Sequence, residues 1–133
     1  MGTLQLEVVT PDRTVVSKVV EMAICPGVEG EFGVLPQHVS LLSALKVGGL
    51  RYRADGKDEY IFISGGFADV NNNVLTVLAE YAELAANIDS ARAQQAKERA
   101  ERRIAEHKEG VDMLRAEAAL QRAIMRLRLS QLR

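Results

Sequence analysis

Apolar and polar residues alternate in several short stretches of the first 80 residues, with the period of two that is typical of β-strands. The alternation is clearest at residues 4–10, where every second side chain is apolar, as in a strand that buries one face. Residues 15–25 are rich in β-branched side chains and predict one bent strand or two, ended by Pro26. Residues 74–78 predict the last clear strand.

Turn signals separate these runs. Asp55-Gly56 lies between two alternating segments and predicts a β-hairpin, because glycine tolerates the positive φ that a type I′ turn requires. Residues 71–73, all asparagine, predict a second hairpin turn, and Gly48-Gly49 is expected to break a strand. Eight to ten short strands with such frequent turns indicate a β-sandwich or flattened barrel.

From residue 88 onwards the period changes to that of α-helices. Residues 88–133 contain no proline or aromatic residue and a single glycine, Gly110. Asp89 precedes a long run of strong helix formers, where a short acidic side chain caps a helix by accepting hydrogen bonds from backbone N–H groups. Small and apolar residues recur along this first helix at steps of three and four and form a narrow seam: Ala93, Ala96, Ala100 and Ile104.

A second helix is predicted after a stop at Gly110, with Asp112 as its cap. A connection this short makes the two helices antiparallel neighbours. The predicted fold class is therefore α+β, with a β-sandwich or flattened barrel of about ten strands over residues 1–86 and an antiparallel two-helix hairpin over residues 87–133. Because a seam of alanines buries little apolar surface, we expect this helix hairpin to hold only weakly to the sandwich. The apolar stripe of the second helix is Met113, Ala116, Leu120, Ala123 and Leu127.

The two parts of the chain differ in charge. Residues 1–87 have 6 Lys+Arg and 11 Asp+Glu, a net of −5, whereas residues 88–133 have 11 and 7, a net of +4. The overall net charge of −1 argues against a dedicated nucleic-acid binder. A row of guanidinium groups along the second helix suits an anion or an acidic surface, with a solvated basic face as an equal alternative. This row is Arg115, Arg122, Arg126 and Arg133.

Signatures of catalysis and of metal binding are missing. No P-loop or dinucleotide-binding glycine motif occurs, and two histidines with one cysteine are too few for a zinc site. His38 has no identifiable partner for nucleophilic catalysis, and Cys25 is more often a small buried side chain than a reactive thiol. The sequence therefore predicts a non-catalytic protein with no metal site and no required cofactor. No stretch of about 18 apolar residues occurs, so membrane association is expected only through a partner.

One group of residues suggests an anion site. Asp89 and Arg92 begin the first helix, and Arg122 and Arg126 lie towards the end of the second, so an antiparallel hairpin brings them together. Helix N-termini favour phosphate groups through their free N–H groups and dipole. Taken alone this is weak evidence, because arginine-rich helix ends are common.

Four stretches extend the interpretation, because together they resemble the epsilon subunit of bacterial F-type ATP synthases. Their sequences are Val-Thr-Pro-Asp at residues 9–12, Gly-Glu-Phe-Gly-Val-Leu-Pro-Gln-His at 30–38, Ser-Gly-Gly-Phe at 64–67 and Ile-Asp-Ser-Ala-Arg-Ala at 88–93. The last resembles the Ile/Leu-Asp-x-x-Arg-Ala motif of epsilon subunits that bind ATP. The resemblance covers the whole chain and is specific, because the stretches occur together in this order and at this length.

The resemblance implies a rotor protein of the central stalk of a proton-translocating synthase. Such a subunit is non-catalytic, binds the gamma subunit and sits on the membrane c-ring. It is then a peripheral protein on the cytoplasmic side of the cell membrane, attached only through the complex. Glu31 and His38 match the loop that faces the c-ring and the foot of gamma, with a solvated turn residue as the alternative for Glu31.

The resemblance also implies regulation by ATP, as a ligand rather than a required cofactor, with or without Mg²⁺. In the family the helix hairpin either folds down on the sandwich or extends along gamma towards the alpha–beta hexamer, where it inhibits ATP hydrolysis. ATP bound to the down state favours the non-inhibiting form. The ATP-contacting positions carry over as the side chains of Glu83, Asp89, Arg92, Arg122 and Arg126 and the backbone of Ile88 and Ala93.

Two other interpretations stay open at this stage. The first is a free-standing ATP-sensing module whose helix hairpin closes on nucleotide, which co-purification with gamma would distinguish from a stalk subunit. The second is a nucleic-acid-binding β-barrel with a basic helical tail. It is disfavoured, because the acidic sheet half shows no aromatic platform beside basic residues. Under the leading interpretation, the arginines of the second helix serve two competing anions, nucleotide in the down state and protein carboxylates in the extended state.

Overall fold

The computed structural model describes residues 2–106 and 112–132. In this part of the chain, eight β-strands are followed by a short 3₁₀ turn, Ala85–Asn87, and two α-helices. The strands are β1 Leu4–Val9, β2 Thr14–Val20, β3 Met22–Gly27, β4 Gly30–Val34, β5 Leu41–Ala54, β6 Lys57–Asn71, β7 Val74–Leu78 and β8 Ala82–Leu84. The helices are α1 Ser90–Glu106 and α2 Met113–Ser130.

The strands form one sheet that folds back on itself. Its order is β2-β1-β7-β6-β5-β3-β4, and β8 pairs with β6 outside that path. Although β2 lies at one edge, it contacts both β5 and β8, so the sheet closes around a core. Fully buried side chains from β1, β5, β6 and β7 fill this core, as the alternation at residues 4–10 predicts. The largest are Leu6, Val8, Leu50, Tyr52, Ile61, Ile63 and Leu75.

Both predicted hairpin turns are confirmed. Asp55 and Gly56 connect β5 to β6 with φ angles of 53° and 75°. Asn72 and Asn73 connect β6 to β7 with φ angles of 52° and 63°. Two successive positive φ angles define the type I′ turn, whose twist matches that of the strands it joins. The predicted α+β class, a β-sandwich followed by a helix hairpin, is confirmed as well.

The described residues form eight strands rather than about ten, partly because the break expected at Gly48-Gly49 does not occur. Gly48 and Gly49 lie inside β5, which runs unbroken for 14 residues, and β6 likewise continues through Gly65 and Gly66. Pro26 also lies inside a strand, at an irregularity where the pairing of β3 with β5 shifts register. Proline is tolerated there because a bulge does not require its missing N–H group.

Two aspartates cap the helices as predicted. The Arg92 backbone N–H donates to Asp89 Oδ1 over 3.1 Å, and the Arg115 backbone N–H donates to Asp112 Oδ1 over the same distance. Gly110, the predicted stop between the helices, lies outside the described residues. Where α1 packs on α2, the alanine seam of α1 is buried at Ala93 and Ala100, and the apolar stripe of α2 is buried at Ala116 and Ala123.

The helix hairpin contacts the sandwich through apolar residues other than this seam. This corrects the expectation that the alanine seam attaches the helix hairpin to the sandwich. It is α2 that packs on β5, β6 and the 3₁₀ turn. A second, small core forms there, in which Leu129 of α2 is buried with Phe62, Ala85 and Ile88. Larger side chains than alanine therefore hold the helix hairpin in place.

Cys25 belongs to the main core of the sandwich. Its side chain is fully buried, and burial raises the pKa of the thiol to about 12. The thiol is therefore protonated at neutral pH, where the thiolate is the reactive form. This agrees with the prediction of a small buried side chain.

Candidate functional site

A polar cavity lies where the start of α1, the strand β8 and the end of α2 meet. Its volume is about 520 Å³, within the range typical of ligand pockets. Four of the residues predicted to contact ATP line it, namely Glu83, Asp89, Arg92 and Arg126. The other lining residues are Tyr81, Asn87, Gln95, Ala96 and Arg99.

The N-terminus of α1 forms one wall. Asp89 caps the helix, and its exposed carboxylate holds the first turn in place. Arg92 follows three residues later, so its side chain begins on the same face of the helix. Neither Arg92 nor Arg99 forms an ion pair with another described residue. Both guanidinium groups are therefore available to an anion.

An ion pair between the sandwich and α2 forms the floor. Arg126 Nη2 donates to Glu83 Oε2 over 2.8 Å, and the two side chains are only 23% and 15% exposed. The hydroxyl of Tyr81 donates to the same Glu83 oxygen over 2.7 Å. Burial and this hydrogen bond to Glu83 raise the pKa of Tyr81. Arg126 Nε is buried without a hydrogen-bond partner among the described residues, so this arginine has unused donor capacity.

Arg122 lies in an adjoining cavity of about 620 Å³. The two cavities share Tyr81, Ala96 and Arg126, so they meet at one point. The walls of this second cavity are mainly apolar and come from both parts of the molecule. They include Phe62, Gly65 and Gly66 of the sandwich and Ala119 and Ala123 of α2.

Ile88 and Ala93, the two predicted backbone contacts, lie behind the polar cavity. Their side chains are buried, at 1% and 0% exposure. Their N–H groups already donate to the carbonyl oxygens of Ala85 and Asp89, over 3.2 and 3.0 Å. These two residues shape the site, and a ligand reaching either N–H group would have to share it.

Sequence reasoning missed five residues of the polar cavity: Tyr81, Asn87, Gln95, Ala96 and Arg99. The spacing of α1 contains a signal for two of them, because Gln95 and Arg99 follow Arg92 by three and seven residues and share its face. Tyr81 and Asn87 have no such periodic signal, since Tyr81 precedes the short strand β8 and Asn87 ends the 3₁₀ turn that follows it.

The predicted arginine row of α2 does not act as one surface. Arg115 is exposed and its guanidinium lies 3.6 Å from the Asp112 carboxylate, whereas Arg126 is half-buried and paired with Glu83. Arg122 lines the apolar cavity, and Arg133 lies outside the described residues. Only the middle of the row therefore reaches the candidate site.

Glu31 and His38 lie away from both cavities of the candidate site. Glu31 is exposed on the edge strand β4, where it faces Pro26 of β3. His38 follows that strand, and its Nδ1 lies 2.7 Å from the Val39 carbonyl oxygen. Their role in contacts with the c-ring and gamma stays a prediction.

The described residues offer neither a metal site nor a membrane-spanning helix. They contain no group of three or more His, Cys, Asp or Glu side chains that could hold a metal ion. Among them, neither α1 nor α2 has the length and apolar character that a membrane-spanning helix requires.

The fold and the site together define a class of small subunit in which a β-sandwich carries a helix hairpin across an arginine-lined junction. Residues 3–85 match the family model described as ATP synthase, Delta/Epsilon chain, beta-sandwich domain. Residues 86–131 match the model of the long alpha-helix domain of the same chain. The chain therefore belongs to the ATP synthase delta/epsilon family, and the resemblance seen in its sequence is confirmed.

Individual relatives agree with this assignment. The chain is 57% identical over 126 residues to the ATP synthase epsilon chain of Nitratidesulfovibrio vulgaris strain DP4, covering 95% of this chain and 94% of that one. It is 50% identical over 128 residues to the epsilon chain of Syntrophobacter fumaroxidans, covering 96% of each. A chain in the OSCP/F1/c-ring structure of the Euglena gracilis mitochondrial ATP synthase has a similar fold, with a TM-score of 0.81 and 27% identity. That match covers all of this chain and 83% of the other.

Proposed function

We propose that this protein is a rotor subunit of the central stalk of a proton-translocating F-type ATP synthase. In this role it couples gamma to the c-ring and inhibits ATP hydrolysis through an ATP-sensitive movement of the helix hairpin. It performs no chemistry itself and works at the cytoplasmic side of the membrane through the complex. The observation that carries the ATP-sensitive part is the arginine-lined cavity, whose walls come from both the sandwich and the helix hairpin.

The cavity is complete only when the helix hairpin is docked. Glu83 is contributed by β8 of the sandwich, Arg92 by α1 and Arg126 by α2. A ligand that contacts all three stabilises the docked state and gains nothing comparable from an extended one. Such a ligand shifts the balance between the states by its difference in affinity for them.

The chemistry of the walls suits a nucleotide triphosphate. Arg92, Arg99 and Arg126 surround the polar cavity, and Arg122 lies beside it. Guanidinium groups bind phosphate through paired N–H donors, and the N-terminus of α1 adds a favourable dipole. The adjoining apolar cavity provides room for the part of the ligand that is not charged. ATP thus acts here as a regulatory ligand rather than as a required cofactor.

ATP binding is expected to be lost when Asp89 and Arg92 are both replaced by alanine. The double change removes a guanidinium and the cap that positions the α1 N-terminus, and two such interactions correspond to about 100-fold or more in affinity. Calorimetric titration of the whole protein with ATP, with and without Mg²⁺, measures this effect.

Asp112→Ala is the matched control, because it removes the equivalent cap from α2 without touching the polar cavity. We expect it to bind ATP as the unchanged protein does. Absence of saturable binding up to millimolar ATP in the unchanged protein would refute the ATP-sensitive part of the proposal. An equal loss of ATP binding in Asp112→Ala would show that the loss comes from reduced helix stability rather than from removal of ligand contacts in the cavity.

An exposed apolar patch supports the contact with gamma. Leu42, Phe67 and Leu78 are 72%, 53% and 51% exposed. Phe67 faces Leu78 across β6 and β7 and faces Ala44 across β5 and β6, so these residues share one outer face. Beside them a groove is lined by apolar residues that include Val9. Contiguous exposed apolar surface of this kind marks protein contacts, and we assign this one to gamma.

Replacing Phe67 and Leu78 together by glutamate is expected to abolish co-purification with tagged gamma. Two charges at the centre of an apolar contact must be desolvated without partners, which costs tenfold or more in affinity. Val19→Glu is the control, because Val19 is 57% exposed on β2, where it pairs with Gln5 at the far end of β1. If the double variant still retained gamma, the assignment of this patch would be wrong.

A further inference from the structure

The buried side chain of Leu129 is the centre of the apolar contact between the end of α2 and the sandwich, with Met125 packed partly buried beside it. Leu129 is buried in the second core, where Phe62, Ala85 and Ile88 surround it. α1 instead packs mainly on α2, and the described contacts between the helix hairpin and the strands are made chiefly by α2. Whatever fixes α2 on β5 and β6 therefore fixes the whole helix hairpin.

Leu129 fills a notch that exists because residue 49 is a glycine. A Cβ atom at Gly49 would lie 2.7 Å from Leu129 Cδ2 and 3.3 Å from Cδ1, closer than packed carbon atoms approach. Gly49 is not among the glycines with positive φ, so its backbone conformation does not require glycine. The missing side chain is thus explained by the leucine that lies over it. In the sheet, Gly49 pairs with Phe62, which belongs to the same small core.

We propose that the contact between Leu129 and Gly49 is the anchor of the docked state in the absence of nucleotide. It acts one turn of helix away from Arg126, because residues 126 and 129 lie three positions apart and share a face of α2. Seating Leu129 in the notch therefore places Arg126 against Glu83 and completes the polar cavity. Withdrawing Leu129 exposes the second core and separates the arginine from its partner.

The anchor is a property of the nucleotide-free protein, and only its regulatory meaning rests on the proposed function. With Leu129 seated, the cavity is preformed and ATP gains affinity, because no ordering of α2 remains to be done. The ATP concentration at which the helix hairpin stays docked is then set partly by this contact. A residue that contacts no nucleotide would in this way tune the response to nucleotide.

Gly49→Ala tests the anchor, because we expect it to destabilise the docked helix hairpin, whereas such a substitution in a strand usually does not destabilise. At a position with ordinary strand geometry, replacing glycine by alanine is neutral or stabilising. Here both methyl groups and the Cγ of Leu129 would lie within 3.5 Å of the new Cβ atom, so the leucine must shift within the notch or leave it. We therefore expect amide hydrogen exchange in α1 and α2 to become about tenfold faster or more. Amides of β1 and β7 should exchange at their original rates. The experiment uses the whole protein without nucleotide.

Three further variants make the test decisive. Leu129→Ala should also accelerate amide exchange in both helices. This substitution lies in α2 and changes the sequence of no strand. In the double variant Gly49→Ala/Leu129→Ala the new methyl group occupies space that the leucine has vacated, so the effect should be smaller than the product of the two single effects. Gly33→Ala should be silent, because the only atom near its Cβ would be the Ala23 carbonyl oxygen, at 4.0 Å.

Unchanged helix exchange in Gly49→Ala, or single effects that multiply in full in the double variant, would overturn the anchor. Repeating the series with ATP separates this proposal from the proposed function. If ATP slows helix exchange in the unchanged protein, and Gly49→Ala raises the ATP concentration needed, both stand. If ATP has no effect while Gly49→Ala still opens the helix hairpin, the anchor stands and the role of ATP fails.

Discussion

Replacing Gly66 by alanine is expected to remove most of the stability of the sandwich. A Cβ atom there would overlap the carbonyl oxygen of Leu78 and would lie 3.0 Å from the Cα of Ala79. Both neighbours are backbone atoms, so no side-chain rotation relieves the clash. The φ of Gly66 is +137°, a conformation that only glycine adopts without strain. We expect a loss of about 4 kcal/mol or more, measured by urea unfolding of the purified chain.

Gly30→Ala separates the clash from the strain. Gly30 has a nearly equal φ of +132°, but a Cβ atom there would meet nothing within 4 Å. Its replacement should therefore cost only the strain, about 1–3 kcal/mol. Equal losses in the two variants would show that backbone conformation alone, rather than the approach of β7, requires Gly66. The glycine at residue 66 of the Ser-Gly-Gly-Phe stretch would then be explained by its φ angle and not by the close approach of Leu78.

Local signals in the sequence predicted local structure well. The turns at Asp55-Gly56 and Asn72-Asn73 and the caps at Asp89 and Asp112 each depend on a few neighbouring residues, and each forms as expected. These residue types act through their own backbone preferences or through hydrogen bonds three residues away. Nothing distant is needed to bring them about.

The residues that were misinterpreted act through distant neighbours. Gly48-Gly49 resembles a strand break, yet Gly48 makes room for Pro26 and Gly49 makes room for Leu129. No periodicity connects residue 49 with residue 129. From the sequence alone, the contact between the helix hairpin and the sandwich is therefore attributed to the alanine seam. That seam instead joins the two helices.

The residues of the candidate site likewise fall into those that local spacing predicts and those that it does not. Asp89, Arg92, Arg122 and Arg126 follow from helix spacing and from the antiparallel arrangement of the two helices. Glu83 lies 43 residues from Arg126, and its assignment came from the resemblance rather than from any pattern. An ion pair between a strand and a helix has no sequence signature, and neither does the tyrosine that joins it.

Arg126→Ala is expected to weaken both the dock of the helix hairpin and the binding of ATP. Removing the guanidinium leaves the Glu83 carboxylate, which is only 15% exposed in the intact protein, without its cationic partner. An unpaired buried charge destabilises a protein more than the intact pair stabilises it. Because the pair is partly exposed, we expect about 1–3 kcal/mol of docking free energy to be lost, measured by hydrogen exchange in α2. ATP affinity should fall by about 100-fold, because Arg126 borders both cavities.

The double variant Glu83→Ala/Arg126→Ala separates the two losses. It removes the uncompensated carboxylate, so the dock should recover part of its stability relative to Arg126→Ala alone. ATP binding should not recover, because the guanidinium is still missing. Arg115→Ala is the control, because Arg115 is on the same helix, its side chain is 90% exposed and it lines neither cavity. If the double variant were the less stable of the two, Glu83 would contribute to the dock through contacts other than Arg126. If ATP affinity recovered in the double variant, the role of Arg126 in ATP binding would be to neutralise the charge of Glu83 rather than to bind phosphate.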